Sequence, residues 1–264
     1  MHWCNPLNDA PIAGGSARLD VDIRSKTFPG ARGAPVEALR GVALSLPAGA
    51  FGALIGPSGC GKTTTLRIVA GLDPDFEGHV SRPGQGRLGI VFQEPRLLPW
   101  RTVEQNVALA MEAAGLPPGP DEPLYAMLGL SAHRDRYPRE LSLGLARRAA
   151  IARAFAVQPD LLLLDEPFVS LDADTASRLR GELAALHART RPTTLLVTHD
   201  IDEALQLADV VFVLGGQPGR VVARMPVDAP RDQRGGPKLA ALRAELAARR
   251  EGRGGEDRLT AHGG

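Results

Sequence analysis

The sequence predicts an α/β fold: a mostly parallel sheet covered by helices, with a helical segment inserted into it. Short apolar runs without alternation, at Phe51–Ile55 and Leu161–Leu164, suit strands buried on both faces. Helical patterns recur between such runs, giving a repeated strand-loop-helix order. From about 95 to 141 the character changes to helical patterns broken by Pro117-Pro118-Gly119-Pro120, which marks the insertion.

Taken in order, residues 1–17 are rich in Pro, Gly, Asn and Ala and are expected to be a loose leader. Leu19–Ile23 alternates apolar and polar as a half-buried strand does, and Val42–Leu46 alternates again. Phe51–Ile55 ends in glycine, and a helix is expected over 62–70, closed by Gly71. Leu88–Phe92 is the next strand. In the insertion, helices are expected at 103–114 and 124–130. The core resumes with a helix at 144–157 and the strand at 161–164. Helix 173–190, strand 194–198, helix 201–207 and strands 210–214 and 220–225 follow. A Pro/Asp/Arg/Gly linker at 226–237 leads to a helix at 238–250 with Leu239, Leu242 and Leu246 on one face, then a polar tail. The expected organisation is therefore a leader (1–17), one catalytic domain (18–225) and a linker with a short helix and tail (226–264).

Lys plus Arg (31) nearly balances Asp plus Glu (30), so bulk charge gives no case for a nucleic-acid partner or an anionic membrane surface. Two cysteines, Cys4 and Cys60, make no disulfide framework. No apolar run approaches the roughly 18–20 residues of a membrane helix, so a membrane role requires a partner.

Gly56-Pro57-Ser58-Gly59-Cys60-Gly61-Lys62-Thr63 matches G-x-x-x-x-G-K-[ST], with a strand before it and a helix after it. The glycines let successive N–H groups turn toward phosphate oxygens, and the helix adds its positive end. Lys62 supplies charge near the β- and γ-phosphates, and the Thr63 hydroxyl can ligate Mg²⁺. Thr64 continues the loop into the helix. Nucleotide in this loop is expected to shield the Cys60 thiol. The strand Leu161–Leu164 ends in Asp165-Glu166. An interior strand puts its C-terminal end beside the phosphate loop. Asp165 is then placed to hold the metal through water, and Glu166 to polarise an attacking water.

These motifs in this order resemble the ATPase subunits of ATP-binding-cassette (ABC) transporters. The phosphate loop is followed by Gln93 at a strand end, then Leu141-Ser142-Leu143-Gly144-Leu145, Asp165-Glu166, Ser170-Leu171-Asp172, and Thr198-His199-Asp200. The likeness runs from about residue 19 to 225. It implies a P-loop NTPase (RecA-like) core with an N-terminal antiparallel β portion and a helical subdomain at about 95–141. It also implies ATP and Mg²⁺ as ligands. Gln93 would reach the metal and water, His199 the γ-phosphate, and Phe28 would stack on adenine. Ser142, Leu143 and Gly144 stand in the signature that faces the ATP of a second copy, so the resemblance implies a head-to-tail dimer. Ser170, Leu171 and Asp172 would form the loop at that dimer interface. Leu143 replaces a glycine of the usual signature; its side chain either crowds the phosphate or points away.

Within the family, the Ser-Leu-Gly signature and the segment Glu94–Val103 resemble the nitrate/sulfonate/taurine importer type. There Leu97, Leu98 and Trp100 would help dock a cytoplasmic helix of the permease. The implied partners are that permease and, through it, a periplasmic or extracellular solute-binding protein. The implied location is the cytoplasmic face of the membrane. Three alternatives remain open: a non-transport ABC ATPase, a small-molecule kinase, and a nucleotide-binding module without hydrolysis.

Overall fold

A computed structural model describes residues 18–30, 34–84, 86–119, 121–229, 234 and 237–250. The leader expected at 1–17, most of the linker and the polar tail lie outside the described residues.

Two sheets make up the β structure of the described residues. The small one is antiparallel, in the order β2 (Val36–Pro47), β1 (Arg18–Phe28), β4 (Glu77–Ser81). The large one has six strands. Its order is β5 (Leu88–Val91), β6 (Leu161–Asp165), β7 (Thr193–Thr198), β3 (Phe51–Ile55), β8 (Val210–Gly215), β9 (Arg220–Pro226). The first five run parallel, and β9 turns back antiparallel on β8. An isolated bridge between Leu39 and Gly219 joins the two sheets.

The unbroken apolar strands are explained by two cores, one on each face of the large sheet. Along β6, Leu162 and Leu164 enter one core while Leu161 and Leu163 enter the other. β3 divides in the same way, with Phe51, Ala53 and Ile55 opposite Leu54. Alternate residues of a strand point to opposite faces, so burial on both sides demands apolar residues throughout. One core lies under α2 (Val103–Ala113), α4 (Leu143–Ala156), α5 (Ala173–Thr190) and α6 (Ile201–Leu207). The other lies between the large sheet, α1 (Lys62–Val69) and the small sheet.

Four elements differ from expectation. β4 was not expected, because only Val80 of its five residues is buried and it forms a sheet edge. β1 and β2 run on through polar residues, because each satisfies the other's backbone from Arg18–Pro47 to Phe28–Val36. In the insertion, α3 covers Glu122–Met127 and stops before the buried Leu128 and Leu130, earlier than the helical pattern suggested. The insertion also contains α2, which packs on α4. Helix α7 (Pro237–Arg250) lies against α6, with Leu246 buried and Leu242 packed on the main core; the side chain of Leu239 is outside the described residues. No described helix is long and apolar enough to cross a membrane.

Candidate functional site

The phosphate loop leaves the C-terminal end of β3 and enters α1 directly. Gly61 caps α1 at φ 97°, a left-handed conformation in which a β-carbon is strained, and a β-carbon there would lie 2.3 Å from Leu39. Lys62 is buried across the loop, its Nζ donating to the carbonyls of Gly56 (2.9 Å) and Pro57 (3.0 Å). Ser58, Gly59, Gly61, Lys62, Thr63 and Thr64 line an open cleft of about 380 Å³, together with Ala38, Gln93 and Glu166. A larger cavity, lined in part by Arg87, Asp160 and Thr193, lies at the opposite ends of the parallel strands, away from this chemistry.

Three neighbouring strands deliver the polar groups. β6 ends in Asp165, whose Oδ1 accepts from the Thr63 hydroxyl at 3.3 Å. Burial pushes the Asp165 carboxyl above its ordinary range, against the opposing effect of the Thr63 hydrogen bond. Glu166 turns out of the strand at φ 44°, an uncommon conformation for a glutamate, and its N–H donates to the Val197 carbonyl. β7, between β6 and β3, ends at Thr198, and His199 Nδ1 lies 3.2 Å from Glu166 Oε2. The residues on either side of His199 are anchored: the Thr198 hydroxyl donates to Glu203, and Asp200 caps α6 through Asp202 and Glu203 N–H. A hydroxyl and a buried carboxylate side by side fit a hard divalent cation. Among the described residues no group of three His, Cys, Asp or Glu could hold an ion alone, so such a cation would depend on nucleotide oxygens as well.

The cleft thus brings together the phosphate loop, Gln93 and Glu166; Asp165 joins it through Thr63 and His199 through Glu166, although neither lines the cleft itself. Ser142, Leu143 and Gly144 are not among its lining residues. Ser142 caps α4 by accepting from the Leu145 N–H (3.3 Å), and it is exposed. Leu143 is 43% exposed, so its side chain points to solvent rather than into the chain's own core. A β-carbon on Gly144 would lie 3.0 Å from Thr175 of α5, which keeps the two helices close. In the loop Glu166–Asp172, Ser170 adopts φ 64° and Asp172 caps α5 through Thr175 N–H (2.9 Å), while Leu171 packs on the main core. Phe28 ends β1, paired with Val36 and two positions from Ala38 of the cleft. Its ring is partly exposed, with the buried Lys26 ammonium 4.6 Å from the centroid.

Two placements correct the sequence reading. Cys60 is only 3% exposed, and burial pushes its thiol pKa up, so the thiol is shielded without nucleotide. Leu97 packs on the main core, whereas Trp100 is 70% exposed. Two contributors were missed. Ala38 lines the cleft but is an ordinary strand alanine in sequence. Asn106 is buried and binds the backbone of Leu98, Arg101 and Thr102, shaping the segment that presents Trp100; only its polarity on an apolar helix face could have signalled this.

Comparison with known proteins agrees with this geometry. A family model described as ABC transporter matches residues 39–169. The aliphatic sulfonates import ATP-binding protein SsuB 1 of Pseudomonas syringae is 46% identical over 233 residues, covering 86% of this chain and 93% of its own length. SsuB 2 of Burkholderia cenocepacia is 48% identical over 216 residues, covering 79% and 80%. The solved ATP-binding cassette MJ0796, a dimer in a post-hydrolysis state bound to ADP and Pi, superposes with a TM-score of 0.70 at 27% identity, covering 80% of this chain and all of that one. A cleft built on a phosphate loop and three strand-end acid and histidine groups, with relatives of this identity and coverage, leads to one conclusion: the chain belongs to the ATP-binding subunits of ABC transporters.

Proposed function

We propose that two copies of this chain bind two MgATP head to tail and that hydrolysis energises uptake of a sulfonate-like solute through a separate membrane permease. The observation that carries the reading is the side-by-side arrangement of Thr63–Asp165 and His199–Glu166 at the mouth of the phosphate loop. Loop N–H groups and Lys62 hold the β- and γ-phosphates, with Lys62 exchanging its loop carbonyls for phosphate oxygens. Thr63, Asp165 and Gln93 hold Mg²⁺, which when bound offsets charge on the phosphate oxygens. Glu166 accepts a proton from the attacking water as the water oxygen bonds to the γ-phosphorus and the bond from that phosphorus to the β,γ-bridging oxygen breaks, releasing ADP and phosphate, while His199 steadies the transferring group. Phe28 stacks on adenine with the face not covered by Lys26.

Ser142 and Gly144 engage the γ-phosphate of the second copy from the N-terminus of α4, Leu143 stays clear of it, and Ser170–Asp172 meets the other copy. Exposure of the signature and its absence from the chain's own cleft support this arrangement, as does the dimeric state of the related cassette. The catalytic domain spans 18–225, with its helical part at about 95–141 facing the permease through Trp100. A periplasmic or extracellular binding protein supplies the solute, and the chain works at the cytoplasmic face. The importer names of the curated relatives support this reading over a non-transport ATPase.

The test is Glu166→Gln. Turnover should fall by about 10²- to 10⁴-fold while ATP binding persists and a dimer accumulates in size-exclusion chromatography. Hydrolysis at the parent rate would remove Glu166 as the base.

A further inference from the structure

Arg147 is a buried charge that the mechanism above does not use. It lies on α4, five residues after Ser142, and is 3% exposed. Its guanidinium forks between two loops of the site. Nη1 donates to the Phe92 carbonyl at 3.2 Å, the residue before Gln93. Nη2 donates to the Val169 carbonyl at 3.3 Å, between Glu166 and Ser170. Nε makes no hydrogen bond. A buried guanidinium held by two backbone carbonyls is an expensive way to fill space. Its planar fork, however, fixes the separation of the two carbonyls it bridges. Arg153, six residues further along α4, also grips the first loop, through the carbonyls of Pro95 (2.9 Å) and Arg96 (2.7 Å). Those bonds reach only that loop, so Arg147 supplies the link to the second.

We propose that Arg147 is a positioning residue that ties Gln93 and the Glu166–Asp172 loop to the signature helix, so that all three move as one body. This inference rests on the roles given above to Gln93, Glu166 and Ser142. When the N-terminus of α4 meets the second copy's phosphate, Arg147 carries that displacement to the backbone on either side of the hydrolytic water. Engagement of one nucleotide through the signature thereby sets the geometry at the other.

The experiment compares Arg147→Met, Arg147→Lys, Gln93→Ala and the Gln93→Ala/Arg147→Met double variant in the full chain. Thermal melts establish folding. The expected result for Arg147→Met is a kcat lowered about tenfold or more, with the Kd for a fluorescent ATP analogue within about twofold of the parent, because misplacement by a fraction of an ångström slows chemistry without removing loop contacts. Arg147→Lys keeps the charge but not the fork, so it should lose rate in the same direction; it carries the test if the methionine variant melts early. The double variant should lose much less than the product of the single losses, since both residues act through one geometry. Folded variants with the parent kcat, or losses that multiply, would overturn the proposal. Glu166→Gln measured alongside separates the two readings. If it still hydrolyses, the functional assignment fails; if it is inactive while the Arg147 variants are unaffected, only the positioning role fails.

Discussion

Gly219→Ala tests whether the phosphate loop is braced from a hairpin far along the chain. Gly219 sits between β8 and β9, its N–H donating to Ala38 O and its carbonyl accepting from Arg40 N–H, both at 2.9 Å. A β-carbon there would lie 2.0 Å from the Cys60 carbonyl oxygen and 3.1 Å from its carbon. Both are main-chain atoms of the phosphate loop, and real β-carbons hardly ever approach within 3.0 Å. Hairpin or loop must therefore yield by about an ångström. Overpacking of this kind costs about 1–3 kcal/mol, which in a domain of this size lowers Tm by about 2–12 °C. If the loop yields, its N–H groups no longer converge on the phosphates. An ATP Kd weakened about tenfold or more, equivalent to about 1.4 kcal/mol, is then expected. Calorimetric titration with ATP and scanning fluorimetry measure the two effects. Gly181→Ala is the control: its β-carbon meets nothing within 4 Å on α5, so helix propensity alone should raise stability by up to about 1 kcal/mol. Parental ATP affinity and Tm in folded Gly219→Ala would refute the brace.

Other consequences are equally direct. Burial raises the Glu203 carboxyl above its ordinary 4.5, so the ionised form costs stability in the fold. That cost is absent below about pH 4 and complete once pH exceeds the raised value; Glu203→Gln should therefore increase Tm at about pH 7.5 and lose this advantage near about pH 4. The Cys60 thiol should react slowly with iodoacetamide both with and without ATP; rapid labelling of the native apo chain, followed by mass spectrometry, would contradict its burial. Leu143→Gly should leave phosphate release within about threefold of the parent, because the side chain points to solvent, and cost no more than about 1 kcal/mol in helix stability. A much larger rise in rate would mean that Leu143 crowds the second copy's phosphate.

What was readable in the sequence was what local chemistry dictates. Helices α5 and α6 begin at Ala173 and Ile201, where the helical patterns placed them, and the structure shows Asp172 and Asp200 capping them. The strand before Asp165 was readable because burial on both faces leaves no polar position. β4 was not, because an edge strand with one buried residue carries almost no pattern. The site divides along the same line. The phosphate loop and the acidic pair are written contiguously, but the His199–Glu166 contact arises from strand order, which joins residues of distant sequence. Burial of Cys60 was illegible because the core that covers it is assembled from strands distant in sequence, among them β2, β3 and β8.

The adjacency of β6, β7 and β3 has a consequence for how such machines diversify. Strands about 4.8 Å apart put three successive ends within about 10 Å, and those ends launch Glu166, His199 and the phosphate loop. The sheet acts as a ruler, and its graduations are set by the main-chain ladders between these strands. Segment 95–141 enters the chain after β5 and leaves it before β6, outside that trio. Its helices can be reshaped while the spacing of those three strand ends stays unaltered.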